Sequence, residues 1–129
     1  MKIEKLTVRD LQEVKSMLPE GKYDTNIKEL IDDIQREGFQ YKAVDATGKM
    51  LAGFIAYIEC DGTGYISEVM SDGSFVGRKG LRALVAKFNK DMMCIPFYFE
   101  VYGKAYVSKR VYVDYYKSEY IDIKLYTGN

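Results

Sequence analysis

Three strand-like runs, residues 39–45, 50–60 and 65–71, are separated only by the turn residues around Thr47-Gly48 and by Asp61-Gly62-Thr63-Gly64. Connections this short join antiparallel neighbours, so residues 39–71 predict a β-meander. Helical spacing appears on both sides of it. Upstream, Ile3 and Leu6 suggest a short strand, and Thr7 can cap a helix with Leu11, Val14, Met17 and Leu18 on one face. Pro19 and Gly21 end it. A second helix starts near Asn26, with Glu29 as capping-box partner, Ile27, Leu30, Ile31 and Ile34 as its stripe, and Gly38 as its stop.

Downstream of a loop at 72–79, Leu81, Leu84, Val85 and Phe88 recur at helical spacing, and residues 93–101 read as a strand. Residues 105–118 read as a helix, although their valines and tyrosines also favour strands, and Ile121, Ile123 and Leu125 alternate in a last strand. The predicted order is β-α-α-β-β-β-α-β-α-β, a mixed α/β class with a mainly antiparallel sheet and about four helices.

At 129 residues the chain fits one domain, residues 1–129, and 47% hydrophobic with 29% charged residues is ordinary for a packed protein. Lysine plus arginine (19) balances aspartate plus glutamate (19), so no overall field attracts nucleic acid or an anionic membrane. Lys104, Lys109 and Arg110 read as a helix face, and the aromatic run at 97–99 reads as a strand, not a base-stacking platform. No apolar stretch approaches the roughly 20 residues of a bilayer span. The N-terminus lacks the apolar core of a signal peptide, so a cytoplasmic protein is expected. Cys60 and Cys94 then read as reduced packing residues, and the absence of histidine excludes a Cys/His nucleophile pair and the usual zinc sets.

Three segments in this order resemble the GNAT superfamily of acyl-CoA N-acyltransferases. Tyr65-Ile66-Ser67-Glu68-Val69-Met70-Ser71-Asp72 is similar to the family's fourth strand, which carries a carboxylate and leads into a phosphate loop. Gly77-Arg78-Lys79-Gly80-Leu81-Arg82 resembles that loop and the start of its helix, with Gly77 where the family has Arg or Gln and Arg82 where it has a small residue. Tyr115-Tyr116-Lys117-Ser118-Glu119-Tyr120 resembles the late Tyr-x-x-x-Gly-Phe element. The family's seventh strand has no counterpart before Asn129, so the resemblance implies an acceptor-side wall that is either incomplete or supplied by another subunit, as in a homodimer.

The resemblance implies acetyl-CoA as cosubstrate, lying where the fourth and fifth strands splay apart. It implies cofactor contacts from Val69, Met70, Ser71, Gly77, Arg78, Lys79, Gly80, Leu81 and Arg82, with phosphates at the helix start, where free N–H groups and the dipole favour anions. Taken alone, the same loop reads as a glycine-containing surface turn with solvated basic side chains. An alkyl ammonium has no lone pair for attack, so a base is needed, and the resemblance gives that role to Glu68. Simple alternation sets Glu68 on the face opposite Ser67 and Val69. The acid that protonates the departing thiolate is Tyr115 by the same resemblance, or Tyr116 if the register shifts. The bland readings are a salt-bridged strand carboxylate and tyrosines that pack a helix. Exposed acids at 20–24 and 32–33 could attract a cationic amine. The implied function is acetyl transfer to a primary amine of a small molecule or protein. The alternative is a catalytically inactive GNAT-like binding or structural protein, of a kind plausible in a phage or mobile element.

Overall fold

The computed structural model describes residues 1–58, 64–92, 99–100, 104–106, 112–114 and 120–121. A six-stranded sheet runs β1 (Lys2–Lys5), β2 (Gly38–Val44), β3 (Met50–Ile58), β4 (Gly64–Ser71), β5 (Phe99–Glu100) and β8 (Tyr120–Ile121), in that spatial order. The first four strands are antiparallel to their neighbours, and β4 to β5 is the parallel step. The expected meander is β2-β3-β4. Helices α1 (Leu11–Met17) and α2 (Ile27–Gln35) cover one face, and α3 (Phe75–Met92) covers the other.

The strands sort their side chains between these layers by their period of two. In β3, Ala52, Phe54 and Ala56 pack with Leu81, Leu84, Val85 and Phe88 of α3, while Ile55 joins Leu6, Val14, Leu30 and Ile34 on the opposite side. Phe88 stacks 4.6 Å from Phe54 and meets Phe39 edge-on at 5.2 Å, which fixes α3 over the middle of the sheet.

The helix starts follow local chemistry. Thr7 and Asp10 form a reciprocal capping box on the 3-10 turn Val8–Asp10 that leads into α1: the Thr7 hydroxyl accepts from Arg9 N–H, and the Asp10 carboxylate accepts from Thr7 N–H at 2.9 Å. At α2, Asn26 donates to the Glu29 carboxylate at 2.7 Å instead of capping the backbone. Its end is made by Gln40, fully buried in β2, whose amide donates to the carbonyls of Asp33 and Arg36. These satisfy acceptors that a helix end leaves unpaired. Gly38 is therefore not the stop expected for α2. It opens β2, where any Cβ would lie 2.5 Å from Tyr57 Cα.

The predicted helix over 105–118 is corrected. Within it, β6 (Lys104–Tyr106) and β7 (Tyr112–Asp114) pair antiparallel as a separate two-stranded sheet. Valine and tyrosine fit a pleated ribbon better than a helix, and here that preference prevails over the helical spacing. Three α-helices are thus present among the described residues, against about four expected. Cys60 and Cys94 lie outside the described residues.

Candidate active site

The site is organised by a break in the β3–β4 register. Ile55 faces Glu68, yet the next residue, Ala56, faces Ile66, so Ser67 is an extra residue in β4. A bulge of this kind kinks the strand and interrupts strict alternation. Ile66 points into the α3 cluster, while Ser67 and Glu68 both reach groups on the α1–α2 side. Sequence alternation set these two on opposite faces; the bulge overturns that expectation. Beyond it, Val69 packs towards α3 and Met70 towards α1 and α2.

On its other edge, among the described residues, β4 pairs with β5 through Gly64 opposite Phe99 and Tyr65 opposite Glu100. From Ile66 to Ser71 that edge meets no strand among the described residues. Val69, Met70 and Ser71, three of the expected cofactor contacts, lie along this stretch just past Glu68.

Glu68 is buried, and two groups from the segment between α1 and α2 close over it. Tyr23 donates its hydroxyl to Glu68 Oε1 at 2.7 Å, and Lys22 Nζ stands 2.5 Å from the same oxygen. The pair is asymmetric: the Lys22 side chain is 44% exposed and that of Glu68 7%. Burial, and then the hydrogen bond to the carboxylate, push the Tyr23 phenol well above its ordinary range, so it remains a donor. Beside it, Ser67 Oγ donates to Asp33 Oδ2 at 2.7 Å, and Arg36 Nε approaches Asp33 Oδ1 at 3.4 Å. Burial raises the Asp33 carboxyl, against the lowering effects of the Ser67 bond and the Arg36 charge. Asp33 is thus not the exposed helix acid expected from the sequence.

At the other end of β4 the expected phosphate loop is largely helix. Because α3 begins at Phe75, Gly77 to Arg82 occupy its first two turns. Ser74 caps it, its hydroxyl accepting from Gly77 N–H at 2.9 Å, and Asp72 Oδ1 accepts from both Ser74 N–H (2.9 Å) and Ser74 Oγ (2.6 Å). The Ser74 hydroxyl and then its N–H hold the Asp72 carboxyl below its usual range. A Cβ at Gly77 would collide with the Asp72 carboxylate, and one at Gly80 would lie 3.1 Å from Ala43 Cβ. Both glycines allow close packing, and Leu81 belongs to the core. Arg78, Lys79 and Arg82 are exposed, with Lys79 Nζ 4.7 Å over the Phe75 ring.

No protein-family model matches the sequence, and no curated protein matches it. Solved structures do. The aminoglycoside 6'-N-acetyltransferase from Enterococcus faecium superposes with a TM-score of 0.60 at 12% identity, over 77% of this chain and 58% of that one. The ribosomal-protein-S18-alanine N-acetyltransferase from Escherichia coli superposes with a TM-score of 0.52 at 17% identity, over 76% of this chain and 63% of that one. The chain has the GNAT fold. It spans less than two thirds of either structure.

On this GNAT scaffold the structure brings Glu68 together with Lys22, Tyr23, Ser67 and Asp33, of which the sequence motif supplies Glu68 alone. Tyr115 and Tyr116 lie outside the described residues. One signal for Asp33 is present in the sequence: it falls between Leu30 and Ile34 on the apolar stripe of α2, where a carboxylate needs a buried partner. The Asp72-Gly73-Ser74 run before Phe75 is likewise a readable helix start.

Proposed function

We propose that this chain is an acyl-CoA-dependent N-acyltransferase that moves acetyl from acetyl-CoA to a primary amine, with Glu68 as the base. One observation carries the reading. A buried carboxylate sits at the bulge of β4 in a GNAT fold and already holds an alkyl ammonium at 2.5 Å, the group it would have to deprotonate in an acceptor. Tyr23 keeps one carboxylate oxygen engaged, and Ser67 with Asp33 fixes the bulge against α2. Lys22 must leave before an external amine can take its place.

The fit to acetyl-CoA is uneven along the site. The edge from Ile66 to Ser71, which meets no strand among the described residues, offers backbone donors and acceptors suited to the amide-bearing arm of the cosubstrate. At the start of α3, where phosphates would gather, Asp72 is already seated as an anion, so attraction there falls to Arg78 and Lys79 in the first two turns. Tyr115 stays the proposed acid for the departing thiolate. The acceptor belongs to the primary amines; the two structural relatives act, by name, on an aminoglycoside and on a protein alanine, and both acceptor classes belong in the first screen.

Asp72 also favours a second reading, a GNAT-fold binding protein without catalysis, because it opposes a pyrophosphate where the family needs one. One experiment separates the two. Acetyl-CoA is titrated in a thermal-shift assay, since a molecule that binds the native state raises its stability by mass action, and CoA release is followed with peptide, polyamine and aminoglycoside acceptors. A shift with turnover supports the enzyme, and a shift without turnover supports the binding protein. Millimolar acetyl-CoA that leaves the melting temperature unchanged refutes the enzyme.

A further inference from the structure

The contact between Lys22 and Glu68 goes further than a salt bridge at the surface. From it we propose that Lys22 is itself an acyl acceptor: the chain acetylates its own Lys22 in a single intramolecular turnover. The inference rests on the N-acyltransferase reading, because acetyl-CoA is its acyl donor. Lys22 Nζ stands where an acceptor amine must stand, 2.5 Å from the proposed base, at the level of the bulge in β4. It is delivered by the segment between α1 and α2, whose next residue, Tyr23, is anchored to the same oxygen at 2.7 Å. The lysine is therefore positioned and not merely attracted. With 44% of its side chain exposed, it also has an open side from which a thioester can approach.

The step balances without any further reactant. Glu68 takes one proton from the Lys22 ammonium and leaves a neutral amine, whose lone pair attacks the thioester carbonyl carbon. The new C–N bond forms as the C–S bond breaks, and the sulfur departs with the bonding pair. The attacking nitrogen loses its second proton and the thiolate gains one from the proposed acid, a net transfer that yields CoA thiol and a Lys22 amide, while the first proton passes from Glu68 to water. Positioning alone favours this acceptor, since an amine held beside its base reacts at a high effective concentration. Acetylation removes the positive charge, so Glu68 loses its ion pair and the segment at 18–26 loses a tether.

The test incubates the purified full chain with acetyl-CoA and follows intact mass and peptide mass over time. Lys28, exposed on the first turn of α2 and distant in role from Glu68, reports background chemical acetylation in the same molecule. The expected result is one acetyl group on Lys22, gained at a first-order rate independent of protein concentration and at least roughly tenfold faster than on Lys28. Glu68→Gln is expected to slow Lys22 labelling at least roughly tenfold while leaving Lys28 unaffected. Lys22 labelled no faster than Lys28, or at a rate rising with protein concentration, overturns the proposal without recourse to any variant. Turnover of external amines with Lys22 unmodified overturns self-acetylation and leaves the enzyme reading standing. Absence of both an acetyl-CoA thermal shift and external turnover overturns both.

Discussion

Replacing Glu68 by glutamine separates its chemical role from its structural one. Glutamine keeps the shape and an oxygen for the Tyr23 hydroxyl, now 2.7 Å away, so the main structural loss is the charge. A charged hydrogen bond exceeds a neutral one by about 1 kcal/mol. The ion pair adds no more than about 1 kcal/mol, because the Lys22 side chain is 44% exposed and water screens it. Against these stands the cost of burying a carboxylate, which glutamine does not carry. The terms nearly cancel, and the net change is within about 1 kcal/mol, or roughly 3–6 °C in melting temperature for a domain of this size.

The expected catalytic loss is far larger, about 100- to 10,000-fold for removal of a general base. It should also depend on pH. An unperturbed alkyl ammonium with a pKa of about 10.4 gains neutral amine tenfold per unit below that value, so rising pH supplies without Glu68 what Glu68 supplies at neutrality. The gap between wild type and Glu68→Gln is then widest at low pH and narrows towards pH 9. Initial rates of CoA release across that range, with melting temperatures in parallel, make the measurement. Equal kcat/KM for the two proteins at pH 7 would falsify the base assignment, and a lost activity that simply follows unfolding would refute the cancellation argued above.

Asp72→Asn is expected to tighten acetyl-CoA binding, by calorimetry, because it removes the anion at the start of α3; it should also blunt the loss of stability in acid. The sign follows from a carboxyl whose folded pKa is depressed, so its stabilisation is present above the unfolded value and disappears as pH falls through the folded one. Arg78→Ala should weaken that binding by about tenfold, a charged contact's worth, while Arg82→Ala should change it less, since Arg82 lies seven residues past Phe75, roughly 10 Å along the helix. Gly77→Ala should lower stability by about 1–3 kcal/mol in urea unfolding despite a better helix propensity, because its Cβ displaces the Asp72 carboxylate and meets Leu51 O at 3.0 Å. Asp33→Asn should gain stability relative to wild type as pH rises above about 4, since a raised folded pKa means that ionising Asp33 in the native state costs stability.

Most of the scaffold was legible because its signals are local. The turns at Asp45 and Gly48, the Thr7 cap and the stripe Leu81, Leu84, Val85 and Phe88 each declare an element within a few residues. The site was legible at Glu68 and little further, because its other members meet across 34 to 46 residues of sequence: Ser67 with Asp33, Tyr23 with Glu68, Lys22 with Glu68. No periodicity announces a bulge, and without it Ser67 and Glu68 cannot be set on one side. Gly77 and Gly80, expected at a phosphate loop, lie in the first two turns of α3, where their small size lets the helix lie close to Asp72 and Ala43.

Two of the chain's own charges sit where the two substrates of the proposed reaction would bring theirs. Lys22 occupies the acceptor end as an ammonium against Glu68, and Asp72 occupies the phosphate end as a carboxylate at the start of α3. Each imitates an incoming group, and each resists it: the ammonium by filling the base, the carboxylate by repelling a phosphate. Their removal should therefore act on different constants. Lys22→Ala frees Glu68 and is expected to lower KM for an external amine while leaving acetyl-CoA affinity in place, whereas Asp72→Asn lowers KM for acetyl-CoA and leaves the amine's unchanged. Lys22 meets the middle of β4 at Glu68 while Asp72 follows its last residue, Ser71, and among the described residues the two share no ion-pair or hydrogen-bond partner, so their effects should add in the double variant, as independent sites do. Strong non-additivity in the two KM values would mean that both charges belong to one coupled closure of the site, and the two-ended description would have to be abandoned.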